Sequence, residues 1–61
     1  MKYKVEYMTD RPDEVIEADH FTDTKDGTWI DFYQPSGHGD YERIVRVRAA
    51  EVARIQEEGT T

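Results

Sequence analysis

The chain has 61 residues, no cysteine, and 14 Asp and Glu against 8 Lys and Arg, giving a formal net charge of −6. That length holds one domain, and the absence of cysteine excludes disulfide staples and Cys-ligated zinc. The acidic balance disfavours direct nucleic-acid binding, no apolar run is long enough for a transmembrane helix, and no basic start leads into an apolar leader, so a soluble cytoplasmic protein is expected.

Apolar residues make up 36% of the chain, which is lean for a monomeric core. A domain this small buries only about 60% of the surface its unfolded chain exposes. Burial against a second copy would supply what the core lacks, so a homo-oligomer is expected. The charge is uneven. Residues 1–42 carry eleven acids against four bases, whereas residues 43–61 carry three acids against Arg43, Arg46, Arg48 and Arg54.

Met1 to Met8 alternates Tyr3, Val5 and Tyr7 with Lys2, Lys4 and Glu6, the period of a half-buried strand. Thr9 to Asp13 reads as a turn around Pro12, which presets φ and lacks an amide proton. Extended structure resumes from Glu14 to Thr22, with Ile16 and Ala18 facing one way. Phe21 then breaks the parity, and a bulge at Asp19-His20 is expected to return it to the core.

Asp26-Gly27 suits a type I′ hairpin turn. Counting outward from it sets Thr22 opposite Asp31, Phe21 opposite Phe32 and His20 opposite Tyr33. The run Thr28-Trp29-Ile30-Asp31-Phe32-Tyr33 is the densest aromatic and β-branched stretch and reads as the central strand. Its parity puts Ile30 and Phe32 inside and Trp29, Asp31 and Tyr33 outside. Gln34 to Asp40 is a loop rich in Gly and Pro.

Tyr41 to Arg48 forms the next strand, with Val45 and Val47 inward, Arg46 and Arg48 outward, and Ile44 on the outward parity. Pairing Ile30 with Val45 would set Trp29 beside Arg46, within cation–π reach of about 6 Å. The tail from Ala49 to Glu58 is open to two readings. High helix propensity and the spacing of Ala49, Val52 and Ile55 suit a helix. The other reading is a 3₁₀ turn at Ala49-Ala50-Glu51 followed by a strand around Ala53 to Glu57. Gly59-Thr60-Thr61 is expected to fray.

Ala18-Asp19, Trp29-x-x-Phe32-Tyr33 and Val45-x-Val47-x-Ala49-x-x-Val52-x-x-Ile55 together resemble a group of small acidic proteins of actinobacteria and their phages. The resemblance implies an all-β, small SH3-like antiparallel barrel of about five strands, and it favours the 3₁₀-plus-strand tail. The alternative architecture is a four-stranded antiparallel sheet with a C-terminal helix. The acidic, aromatic-rich loop of peptide-binding SH3 domains is missing, so proline-rich ligands are not carried over.

For function, His20 and His38 with Asp19 and Asp40 match no metal motif, and no metal or cofactor is expected. Ser36 is the single serine and no glycine-rich phosphate cradle is present, so catalysis is not expected. The constellation that stands out is His20, Trp29, Tyr33 and Arg46 on one outer face, since aromatic and arginine side chains dominate binding hot spots. The expectation is a self-associating, non-catalytic interaction module that docks through this face. One alternative is a phage-encoded acidic inhibitor of a host defence or nucleic-acid-binding protein, using the run from Asp10 to Asp26. Another is a small-ligand binder with pockets between protomers.

Overall fold

A computed structural model describes residues 1–58, so the expected fraying of residues 59–61 lies outside the described part. The chain is all-β. Its strands are β1 (Lys2–Tyr7), β2 (Glu14–Glu17), β3 (His20–Asp23), β4 (Trp29–Pro35), β5 (Tyr41–Arg48) and β6 (Val52–Glu58), with a 3₁₀ turn at Ala49–Glu51 before the last. They form two antiparallel sheets of three strands, in the orders β2-β1-β6 and β3-β4-β5. The sheets are not closed into a barrel. The molecule is thin in one direction, 37 × 34 × 14 Å. No helix among the described residues is long and apolar enough to cross a membrane.

Both sheets turn their inner faces to one core of Tyr3, Val5, Tyr7, Ile16, Ala18, Ile30, Phe32 and Val47. Tyr3 and Phe32 meet across it with ring centroids 5.9 Å apart. β1 keeps the expected alternation, burying Tyr3, Val5 and Tyr7. Tyr7 also donates its hydroxyl to Glu14 at 2.6 Å. Burial, reinforced by that bond, pushes its pKa up to about 12. Arg11 lies 3.9 Å over the same ring and reaches Glu51 at 3.2 Å, tying the loop after β1 to the 3₁₀ turn.

The stretch from Glu14 to Thr22 differs from the expected single strand with a bulge at Asp19-His20. It is two strands, which raises the count from about five to six. The chain changes sheets at Ala18-Asp19: the Ala18 amide donates to Met1 O and the Asp19 amide to Tyr33 O, both at 2.8 Å. Adjacent amides thus serve different sheets, which a bulge within one ladder would not do. The shift still turns Phe21 toward the core, where its ring packs edge-on to Tyr3 at 5.1 Å and tilted to Phe32 at 5.4 Å. Phe21 stays 37% exposed because it sits on an edge strand.

The predicted β3–β4 register holds: His20 opposes Tyr33, Phe21 opposes Phe32 and Thr22 opposes Asp31. The turn type does not. Type I′ needs positive φ at both central residues, and Gly27 alone has it, at +73°. The Asp26 carboxylate instead accepts from the Thr28 amide at 3.0 Å and the Thr24 hydroxyl at 2.7 Å. An acid side chain that holds the amide two residues on substitutes for the primed turn. Those bonds, led by the Thr28 amide, lower the Asp26 pKa.

β4 and β5 pair two residues away from the expected register. Val45 opposes Phe32 and Val47 opposes Ile30, so the Ile30–Val45 pairing is corrected. The ladder shifts between Phe32 and Tyr33, where Val45 and Arg43 are successive partners and Ile44 is the extra residue. The bulge cancels Ile44's outward parity and lets it pack, half-buried, against the core beside Val45.

The tail takes the 3₁₀-plus-strand form, and the helical alternative is overturned. β6 pairs with β1, Val5 opposite Ile55 and Tyr7 opposite Val52, with Ala53 left over by a second register shift. One extra residue in a strand converts a spacing of two into a spacing of three. That is why Val52 and Ile55 carried helical spacing yet both turn toward the core from a strand. A helix of ten residues is marginal by itself, whereas the ladder with β1 satisfies the same backbone groups in place.

Candidate functional site

The outer face of β3-β4-β5 collects all four residues singled out from the sequence. Strand pairing alone places them: His20 opposes Tyr33, Asp31 opposes Arg46, and Trp29 opposes Arg48. The four do not form one cluster. Trp29 and Tyr33 are four residues apart on one strand, about 13 Å at strand rise. Two aromatic groups therefore flank a central ion pair.

That ion pair is built on Asp31, which is buried, with 3% of its surface exposed. Arg46 donates Nε to its Oδ1 at 2.7 Å and Nη2 to its Oδ2 at 3.0 Å. This is the planar two-point geometry that arginine makes with a carboxylate. Arg43 Nη1 lies 4.0 Å from the same Oδ2. Arg46's hydrogen bonds hold the Asp31 pKa below its ordinary value, and this outweighs the upward push of desolvation. The same bonds raise Arg46. Asp31 stands on the outer side of the sheet, so its cover is the side chains lying over it.

At one end, Trp29 carries two guanidinium groups, Arg46 Cζ 5.5 Å and Arg48 Cζ 5.2 Å from its ring centroid. The predicted Trp29–Arg46 proximity is therefore present, but it runs diagonally, because the direct partner is Arg48. At the other end, His20 stacks on Tyr33 at 5.3 Å and 18° and meets the edge of Tyr41 at 4.9 Å. Asp19 Oδ2 lies 2.9 Å from His20 Nδ1. Tyr41 remains 56% exposed.

Sequence reasoning missed Asp31, Arg43, Arg48 and Tyr41. Asp31 carried a signal: a lone acid inside an apolar run has to be paired if the strand is central. Arg43 and Tyr41 could not be placed without knowing that Ile44 bulges. No pocket indents the described surface. Among the described residues no three His, Asp or Glu side chains converge as metal ligands.

Three acids of the run from Asp10 to Asp26 are engaged locally. Asp13 pairs with Lys4 at 3.6 Å, Glu14 accepts from Tyr7, and Asp19 engages His20. The outer face of β2-β1-β6 carries Lys2, Lys4, Glu6, Glu17, Arg54 and Glu58, mixed in sign and aromatic-free. Compared with protein-family models, curated proteins and solved structures, the chain matches none.

Proposed function

We propose that the protein is a non-catalytic interaction module that docks a protein partner through the outer face of β3-β4-β5. One observation carries this reading: Arg46 is locked on Asp31 and lies under the reach of Trp29, in a layer that includes Arg43, Arg48, Tyr33, Tyr41 and His20. Tryptophan, tyrosine and arginine give the largest interface contributions when they are held rigid. A side chain already fixed loses less entropy on binding. The arginine excess on this face suits an acidic partner surface. The 3₁₀ turn before the last strand and the chain running straight from β2 into β3 support reading the architecture as an opened SH3-like barrel.

The test compares partners captured from the native host by the wild type and by Trp29→Ala. The expected outcome is a partner that Trp29→Ala and Arg48→Ala both lose while their circular dichroism spectra stay native. Lys4→Ala, on the other sheet, retains it. A partner retained by Trp29→Ala and Arg48→Ala but lost steeply with added salt would transfer the reading to the acidic surface.

A further inference from the structure

The sandwich is continuous on one side and open on the other. β2 runs into β3 at Ala18-Asp19, which joins the sheets along that side. The opposite edges are β5 and β6, each paired on one side only and connected through the 3₁₀ turn. The half-buried apolar residues that pack against the core are Ile44, Val45, Ala49, Val52 and Ile55, and all five lie on β5, the 3₁₀ turn or β6. The core is thus incompletely covered along β5 and β6, which, like β2 and β3, are edge strands with unpaired backbone groups.

We infer that β5 of one copy pairs with β6 of the next, joining the two sheets of neighbouring molecules into one. Three observations select this occupant. First, the edges differ in charge. β5 carries Arg43, Arg46 and Arg48 against Glu42, with Arg46 held by Asp31 and Arg48 3.8 Å from Glu51, whereas β6 carries Arg54, held by Glu6 at 2.7 Å, against Glu57 and Glu58. Second, like edges reject each other. Two β5 strands would set arginines side by side, and like charges across strands are destabilising. Third, the faces match. Joining core side to core side puts Val45 and Val47 on the same face as Val52, Ile55 and Glu57, and Arg46 and Arg48 on the same face as Arg54, Gln56 and Glu58. The half-buried residues of both edges are then covered. Both edges lie on the same open side, so a twofold axis makes the β5–β6 pairing twice in a closed dimer; without that axis the pairing builds a ring or an open series.

The inference stands apart from the docking face, because an edge and not a face makes the contact. Its first test needs no variant. Native mass spectrometry and amide hydrogen exchange are run on the intact chain at about 2 and about 200 µM, a span that exposes association of ordinary micromolar strength. The expected result is a set of masses that are multiples of the 7.2 kDa chain, with added protection confined to β5 and β6. A single-chain mass at the higher concentration overturns the inference, and so does added protection at β2 or β3.

The second test separates the two edges. An inward-facing lysine is a natural block to edge pairing. Ile44→Lys on β5 and Ile55→Lys on β6 should each remain a single chain. Their equimolar mixture should form a pair of chains and nothing larger, because each variant keeps the edge that the other lacks. A mixture that stays single, or either variant assembling as the wild type does, overturns the pairing. Where a variant fails to fold, the exchange measurement on the wild type decides.

Discussion

β1 and β4 are the central strands of their sheets, and they treat their outer faces differently. In β1 buried Tyr3, Val5 and Tyr7 alternate with Lys4 and Glu6, which stay half-exposed and pair with Asp13 at 3.6 Å and Arg54 at 2.7 Å. In β4 three successive residues, Ile30, Asp31 and Phe32, are all buried. A strand that faces water on one side should alternate. Burial on both sides of β4 means that a second layer lies over its outer face, made of arginine stems and aromatic rings on β3 and β5. Water covers one sheet, and the chain's own side chains cover the other. Burying a carboxylate is costly unless it is paired and hydrogen-bonded, so the Asp31–Arg46 geometry is a requirement of that second layer.

The largest expected effect lies on the inner side that both strands share. Phe32→Ala should cost about 3–5 kcal/mol and Ile30→Ala about 2–5 kcal/mol, much of the stability available to a small domain. Urea unfolding followed by circular dichroism measures both. A loss within about 0.5 kcal/mol for Ile30→Ala, the range of surface changes, would mean that the inner face had been misassigned.

The sharpest contrast comes next. Asp31→Ala should cost about 1.5–3 kcal/mol, because it removes two charge-assisted hydrogen bonds. Glu6→Ala should cost no more than about 1 kcal/mol, because its partner Arg54 is 63% exposed on the solvated sheet. Equal losses in the two variants would erase the distinction between the faces.

The acid limb of the stability curve tests the same pair by pH. The folded-state pKa of Asp31 lies below its ordinary value of 3.8. Its contribution is therefore fully present above that ordinary value and is lost as pH falls through the lower folded value. Thermal melts of wild type and Asp31→Asn should differ most at neutral pH and converge as the carboxylate protonates. A gap that persists unchanged into strong acid would show that the charge on Asp31 is not what stabilises the layer.

The smallest effect belongs to Lys4→Ala. Its partner Asp13 is 48% exposed, and such surface pairs contribute about 0–1 kcal/mol. Its melting temperature should stay near that of the wild type, and a large drop would show that the outer face of β2-β1-β6 is also organised.

The strands themselves were legible in the sequence, because period-two alternation in β1 and β4 follows directly from the pleat. So was the β3–β4 register, because the Asp26-Gly27 turn lies between adjacent strands and leaves few ways to count outward. His20, Trp29, Tyr33 and Arg46 could be assigned to one face by parity alone. What tertiary structure decided were the irregularities. Ile44 and Ala53 are each one extra residue in a ladder, and nothing local marks them, since a bulge is selected by what the neighbouring strand and the core accept. Those two residues disguised a strand as helical spacing at Val52 and Ile55 and brought Arg43 and Tyr41 onto the face. The change of sheet at Ala18-Asp19 is of the same kind, because it depends on Met1 and Tyr33 being in place to accept successive amides. Local sequence determines which side of a strand is apolar, and contacts distant in the chain determine which strands share that side.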